Sequence, residues 1–107
     1  DGTQTRELIY IDDQINGLLM ATDYEGDLIN IGSGIETRIM DLAEIIKDLS
    51  GFKGEIFYNT NRFVGVKRKV LNVEKAKSSF GWTIKNQMHT LEEGIQKTID
   101  WYRENEL

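Results

Sequence analysis

The sequence predicts a small mixed α/β domain, and three observations support that prediction. Segments rich in branched and aromatic residues alternate with segments whose apolar residues recur every three or four positions, which favours strands alternating with helices. Of the 107 residues, 39% are hydrophobic and 29% charged, which is enough apolar material for the core of one domain. The sequence has no internal repeat and no low-complexity segment. We therefore expect a single folded unit over residues 1–107.

The first half is predicted to hold two strands and two helices. Residues 6–11 and 28–31 favour strands, since branched and aromatic side chains suit a pleated surface. Asp12 or Asp13 is expected to cap the first helix, and Gly32-Ser33-Gly34 ends the second strand. Thr37 is the expected cap of the second helix, and Gly51 its C-terminal stop. The apolar positions of the two helices are Ile15, Leu18, Leu19 and Thr22, then Ile39, Leu42, Ala43, Ile46 and Leu49.

The second half is predicted to add two short strands and two helices. Residues 55–58 and 69–71 favour strands, separated by a loop that contains Gly65. Asn72 is expected to cap a helix that continues through Phe80. The last helix opens with a capping box formed by Thr90 and Glu93. Its apolar face contains Leu91, Ile95, Ile99 and Tyr102.

Charge and composition exclude several classes of protein. The net charge is -5 and the pI is about 4.8, which argues against a general nucleic-acid-binding surface. No apolar run is long enough to cross a bilayer, so we expect no membrane partner. The absence of cysteine excludes disulfides and thiolate metal sites. A cytoplasmic protein fits this composition best.

Few residues suit catalysis, and we predict neither a catalytic residue nor a metal site. His89 lacks a serine, cysteine or metal-ligand partner at a known spacing and is expected at the surface. Glu92 and Glu93 are better explained by helix capping than by acid–base chemistry. Gly32-x-Gly34 resembles a dinucleotide-binding turn, but Thr37 stands at the third glycine position. A tight strand-to-helix turn is the better account, although its amides are free to face an anion.

A basic cluster is the clearest candidate binding feature. It consists of four cations within eight positions of an otherwise acidic chain: Arg62, Lys67, Arg68 and Lys69. Arginine suits a diphosphate because its planar fork donates two hydrogen bonds to phosphate oxygens. A solvated strand edge, where lysines discourage aggregation, explains the same residues equally well. Local sequence leaves both interpretations open.

Several modest motifs then occur in a fixed order over nearly the whole chain. Residues 1–13 resemble the "DGxxxR-[DE]-aromatic-[IL]-x-V-x-D" segment of extended short-chain dehydrogenases, the NAD(P)-dependent epimerases and dehydratases of nucleotide sugars. Residues 28–34 are similar to that family's "NIGSG" strand and turn, and residues 70–82 to its "K-A-x-x-x-[LF]-G-[WF]" helix. Residues 91–102 resemble its closing "LEEGLxKTIxWY" helix, and residues 62–69 most resemble the "KPxGxPRK" stretch of GDP-L-fucose synthases.

The resemblance implies a substrate-binding role within a larger enzyme. It implies that Arg6 and Arg68 reach the diphosphate or nucleotide of a bound GDP- or UDP-sugar, with Lys69 as a further cation nearby. It also implies an N-terminal Rossmann half, absent from this sequence, that holds NAD(P) and supplies a Tyr-x-x-x-Lys pair. No tyrosine here is followed by lysine at that spacing. We therefore expect an inactive C-terminal portion without its own cofactor, from a parent that is a homodimer in polysaccharide biosynthesis.

Departures from the family pattern leave other functions open. Phe63 stands where proline is usual, Val64 where a polar residue is frequent, Leu8 replaces an aromatic residue, and Asn72 an aspartate. These differences leave the exact substrate unassigned. Two alternatives are a non-catalytic sugar-nucleotide-binding module and a structural remnant of a truncated gene. A remnant would expose the apolar surface that once met the Rossmann half.

Overall fold

The computed structural model describes residues 1–83 and 88–105, and these form a three-stranded sheet with four helices. The mixed α/β fold predicted from the sequence is confirmed. Its elements are, in chain order, β1 (Thr5–Glu7), α1 (Ile11–Met20) with a 3₁₀ turn (Ala21–Asp23), β2 (Glu36–Arg38), α2 (Ile39–Ser50), β3 (Arg68–Lys69), α3 (Glu74–Phe80) and α4 (Leu91–Asn105).

The sheet has the order β2-β1-β3, so that β1 is its central strand. β1 pairs antiparallel with β2, with Arg6 opposite Thr37 and Glu7 opposite Glu36. It pairs parallel with β3, which begins only after about sixty intervening residues. The sheet therefore joins the first residues of the chain to the basic cluster in its second half.

Helix α2 forms where its periodicity and its glycine stop predict it. Gly51 ends the helix in the left-handed conformation, with φ of 76°, which glycine adopts without steric cost. The predicted cap Thr37 is wrong, because Thr37 lies in β2 and no side chain caps the helix. The first amides donate instead to backbone carbonyls of the N-terminal segment, from Ile39 to Gln4 and from Met40 to Gly2.

Helix α4 begins with the predicted capping box. The Glu93 amide donates to Thr90 Oγ1 at 3.2 Å, while the Thr90 amide donates to Glu93 Oε2 at 3.0 Å. These reciprocal bonds satisfy two amides that otherwise lack partners at a helix start. Near the other end, Arg103 donates to the carbonyl of Ser50 at 2.7 Å, which joins α4 to the last turn of α2.

The predicted aspartate cap of α1 is wrong, and so is the surface position of His89. The helix starts at Ile11, and no side chain caps it. Asp13 is 2% exposed and accepts both the His89 amide, at 2.8 Å, and a hydrogen bond with His89 Nδ1, at 2.9 Å. The ring of Tyr10 contacts the partly buried imidazole edge to face. A buried carboxylate requires hydrogen-bonding partners, and His89 provides them.

Two predicted strands are not formed, and two others are shorter than predicted. Residues 28–31 and 55–58 have no ladder partner within the described part of the chain, and extended segments need one to become strands. The first is held by side chains instead, with Lys75 Nζ on the Leu28 carbonyl and Asn30 Nδ2 on the Asn72 carbonyl. The strands predicted at residues 6–11 and 69–71 are reduced to β1 and β3.

Helix α3 follows the predicted asparagine cap at a small offset. Asn72 Oδ1 accepts the amide of Glu74, the first helical residue, and Gly81 ends the helix with φ of 72°. Trp82 follows at once and is the largest buried side chain, 1% exposed. Its indole Nε1 donates to the Gly32 carbonyl at 2.8 Å. Its ring lies against Gly17, where a Cβ atom would come within 3.0 Å of it, so α1, α3 and the turn after residue 31 meet at this indole.

Candidate functional site

The three predicted binding residues lie on the adjacent strands β1 and β3. In the parallel ladder Arg6 is the Cα partner of Lys69, and Thr5 is the partner of Arg68. Because side chains alternate between the faces of a strand, Arg6 and Lys69 project from one face of the sheet. Arg68 projects from the opposite face. The fold thus brings the cations of residues 6 and 69 together across about sixty residues of chain and leaves Arg68 apart from them.

Arg6 is oriented by backbone carbonyls. Its Nη1 donates to the carbonyl of Thr5 at 2.6 Å and to that of Val66 at 3.0 Å. Among the described residues no carboxylate bonds to it, so its charge is not neutralised by an ion pair. Lys69 beside it is exposed. This face of the ladder therefore presents positive charge that an anionic ligand can use.

Arg68 is engaged by a carboxylate that the sequence did not reveal. Its Nε donates to Glu36 Oε1 at 2.6 Å and its Nη2 to Glu36 Oε2 at 2.7 Å, a bidentate pair that reaches over β1. Thr5 Oγ1 donates to the same Oε1 at 2.9 Å. The hydrogen bonds from Arg68 and then from Thr5 lower the pKa of Glu36, and the bond to Glu36 raises the pKa of Arg68. Only the three-dimensional register brings these residues together.

The glycine turn faces a carboxylate of the chain itself. Glu7 Oε2 accepts the amide of Gly34 at 3.0 Å and that of Leu71 at 3.1 Å. A side chain at Gly32 would collide with the other oxygen of Glu7. The Gly34 amide, which the sequence left free to face an external anion, is bound by Glu7 instead. The predicted strand-to-helix turn is wrong, because the turn leads into β2. Glu7 thus joins this turn to the end of β3.

The remaining cations of the cluster lie outside the ladder. Arg62 is exposed in the turn at residues 60–62, and its amide donates to the Asn59 carbonyl. Lys67 is exposed directly before β3, and its carbonyl accepts the amide of Thr5 at 2.8 Å. Their backbone supports the strands, while their side chains stay on the surface. The structure therefore separates the four clustered cations into two in the ladder and two in the preceding loop.

A large apolar cleft lies between the two longest helices and the sheet. It has a volume of about 1110 Å³ and runs between α2, α4 and the segment after β1. None of Arg6, Arg68 and Lys69 lines it, so it is separate from the cationic ladder. Its lining is mainly apolar and includes Leu8, Ile35, Leu42, Ile46, Ile95 and Ile99.

Metal and membrane sites are not found in residues 1–83 and 88–105. Within these ranges no group of three or more acidic, histidine or cysteine side chains is arranged to hold a metal ion. No helix in the same ranges is long and apolar enough to cross a membrane.

The chain is similar in sequence to curated enzymes of nucleotide sugars, although no family model matches it. It is 39% identical over 105 residues to a putative UDP-glucose 4-epimerase of Methanocaldococcus jannaschii, covering 98% of this chain and 33% of the relative. It is 37% identical over 106 residues to a putative GDP-L-fucose synthase of Arabidopsis thaliana, covering 97% and 31%. The chain thus spans about a third of the length of the curated relatives it matches.

Solved structures show the same likeness in three dimensions. A UDP-glucose 4-epimerase of Thermotoga maritima with UDP-glucose superposes with a TM-score of 0.87 at 30% identity, covering all of this chain and 34% of that one. A dTDP-glucose 4,6-dehydratase of Bacillus anthracis in complex with NAD gives a TM-score of 0.82 at 30% identity, covering 99% and 33%.

The fold and these likenesses together match the C-terminal part of nucleotide-sugar epimerases and dehydratases. The sequence relatives of the chain include GDP-L-fucose synthases and UDP-sugar epimerases, and its structural neighbours are extended short-chain dehydrogenases. The resemblance seen in the sequence motifs is therefore confirmed.

Proposed function

We propose that this chain is the substrate-binding part of a nucleotide-sugar epimerase, reductase or dehydratase similar to GDP-L-fucose synthase. In this proposal Arg6, Arg68 and Lys69 bind the nucleotide diphosphate of a GDP- or UDP-sugar. The observation that carries it is the parallel pairing of Arg6 with Lys69, which gathers two cations on one face of an otherwise acidic chain. Relatives whose solved structures hold UDP-glucose or UDP-glucuronic acid support the same ligand class.

The chemistry of the cations suits a diphosphate. Nη1 of Arg6 donates to the carbonyls of Thr5 and Val66, which fixes where its guanidinium lies, and the N–H groups on Nε and Nη2 remain as donors for a ligand. Charge-assisted hydrogen bonds to phosphate oxygens contribute about 1.5–3 kcal/mol each. A loop and two short strands therefore suffice to hold the charged end of the ligand, while the sugar and the base contact other surfaces.

We propose that catalysis and cofactor binding belong to an N-terminal Rossmann half. The described residues do not fit a dinucleotide, since the amide of Gly34 is occupied by Glu7 in the only glycine turn that resembles a nucleotide-binding motif. With NAD(P) bound there, the whole enzyme would epimerise or reduce a 4-keto sugar nucleotide, and this part would bind its diphosphate. The chain by itself is expected to be inactive. We also propose a cytoplasmic location and a homodimeric parent.

An exposed apolar surface supports the proposal that a further domain of the same polypeptide packs against this one. The outer face of α1 and the unpaired segment after it expose Leu28 to 92%, together with Ile11, Ile15, Leu18 and Leu19. Residues 28–31 have no ladder partner among the described residues, so a strand from a partner could pair with their backbone. Contiguous apolar surface of this kind marks an interaction site. We propose that the Rossmann half covers it.

An amide NMR titration tests the proposed ligand. The chain is titrated separately with GDP-mannose, UDP-glucose and NADPH, up to high concentration because affinities near millimolar, about 4 kcal/mol, are expected. Shifts at Arg6 and Lys69 with a sugar nucleotide, and none with NADPH, are the expected result. The larger of the two sugar-nucleotide responses identifies the preferred base.

Two variants make this titration specific. Arg6→Gln is expected to weaken sugar-nucleotide binding several-fold, because a charge-assisted bond is lost. Lys97→Gln removes the same charge from an exposed position on α4 and should leave binding unchanged. An equal loss of affinity in both variants would show that the ligand is attracted by the overall charge and not bound by Arg6. Stronger shifts with NADPH, or turnover of a sugar nucleotide by the chain alone, would contradict the proposal.

A further inference from the structure

Arg68 binds an anion of the chain itself, and the geometry of that contact has consequences for any ligand. Glu36 occupies the Nε–Nη2 side of the guanidinium with two short bonds. The Arg68 side chain is nevertheless 71% exposed, whereas that of Glu36 is 29% exposed. The arginine is thus held by one partner at its tip and is otherwise free to turn into solvent.

The strand faces set Arg68 apart from the other two cations. In the ladder Arg68 shares a face with Thr5 and Glu36, while Arg6 and Lys69 project from the opposite face. A single diphosphate contacted by all three cations therefore requires the guanidinium of Arg68 to leave Glu36. Its exposure and its long side chain permit this movement around the edge of β3.

Glu36 keeps a hydrogen bond from Thr5 when Arg68 leaves, since Thr5 Oγ1 donates to its Oε1. It also lies directly opposite another carboxylate, that of Glu7, in the ladder. Directly opposed like charges destabilise a strand pair unless each is compensated. The amides of Gly34 and Leu71 compensate Glu7, and Arg68 compensates Glu36. Glu36 therefore attracts Arg68 continuously in the absence of ligand.

We propose that Glu36 competes with the phosphate groups of a nucleoside diphosphate for Arg68. Binding is then an exchange of anions, in which phosphate oxygens replace the Glu36 carboxylate on the guanidinium. The diphosphate carries more negative charge than one carboxylate, so the exchange proceeds when ligand is bound at Arg6 and Lys69. Glu36 consequently lowers the affinity for every ligand that needs Arg68. This inference rests on the proposed function and specifies how its site is regulated.

The test compares UDP and GDP binding in matched variants of the chain by NMR titration. Glu36→Gln removes the competing charge and keeps the size of the side chain, so affinity is expected to rise about two- to fivefold, as for other exposed pairs. Asp41→Asn is the control. It removes the same charge from another exposed bidentate pair, Arg38–Asp41, with distances of 2.7 and 2.8 Å.

A double-mutant cycle assigns the gain to Arg68. Arg68→Gln is expected to weaken UDP and GDP binding, and Glu36→Gln should give no gain in that background. Affinity that is unchanged or weaker in Glu36→Gln, or a gain equal to that of Asp41→Asn, overturns the competition while Arg68 keeps its role. If Arg6→Gln and Arg68→Gln both bind as the wild type does, the proposed binding site fails, and this inference fails with it.

Discussion

The α2–α4 side of the molecule and the α1 side are built by different means. On the first, α2 ends and α4 begins at signals a few residues away, namely Gly51 and the capping box of Thr90. On the second, α1 is fixed by contacts with distant residues: Trp82 on the Gly32 turn, and His89 on Asp13. On the α2–α4 side, local sequence signals therefore determine where α2 ends and where α4 begins. The α1 side depends on few anchors and leaves an apolar face exposed.

This difference predicts where single substitutions have large effects. An element that is held by one buried side chain loses its position when that side chain is removed. A helix with several local signals loses only one of several contributions to its stability. Three substitutions test the contrast, ordered from the largest expected effect to the smallest.

Trp82→Ala is expected to give the largest effect, because it opens a cavity and removes the bond to the Gly32 carbonyl. A loss of about 3–5 kcal/mol in the free energy of unfolding is expected. Urea unfolding followed by circular dichroism measures it. The matched control is Trp101→Ala on α4, where the half-exposed indole should cost less than about 1 kcal/mol. Similar losses of unfolding free energy in the two variants would contradict the claim that the α1 side depends on a single buried side chain more than the α2–α4 side does.

Thr90→Ala is expected to have an intermediate effect, since it removes one half of the capping box of α4. The free energy of unfolding should fall by about 0.5–2 kcal/mol in the same urea experiment. Thr90→Ser keeps the hydroxyl acceptor and should restore most of the loss. If Thr90→Ser is as unstable as Thr90→Ala, the methyl group rather than the cap stabilises this end of α4.

Leu19→Lys is expected to change stability least, within about 0.5 kcal/mol, because this residue of α1 is already largely exposed. Because the apolar face of α1 is exposed, we expect the isolated chain to self-associate, and Leu19→Lys should clearly reduce this. Sedimentation velocity at increasing protein concentration measures the change. Asn16→Lys adds the same charge at an exposed polar position of α1 and should reduce self-association much less. If the chain is monomeric at all concentrations, with and without Leu19→Lys, the apolar face of α1 does not mediate self-association.

The sequence predicted the elements whose hydrogen bonds are local. The periodicity of α2, its glycine stop and the capping box of α4 all act within a few residues, and all three predictions are confirmed. The strands predicted at residues 28–31 and 55–58 failed for the opposite reason. A strand needs a neighbour, and sequence pattern alone does not show whether the neighbour is present.

The candidate site divides in the same way. The basic cluster was visible in the sequence. The family resemblance selected Arg68 and Lys69 from it and added Arg6 from the first motif; the binding role of all three stays a prediction. The acidic partners Glu7 and Glu36 were missed, because the first contacts residues 34 and 71 and the second contacts residue 68. Only the register of β2, β1 and β3 contains that information. His89 was assigned to the surface for the same reason.

The contact between Asp13 and His89 also has a consequence for synthesis on the ribosome. The two residues are 76 positions apart, so Asp13 leaves the ribosome long before its partner is made. At about 5–20 residues per second the delay is roughly 4–15 s. During this interval Asp13 lacks the hydrogen bonds of His89, and α1 lacks the packing of Trp82 against Gly17. We therefore expect α1 to be among the last elements to reach its final position.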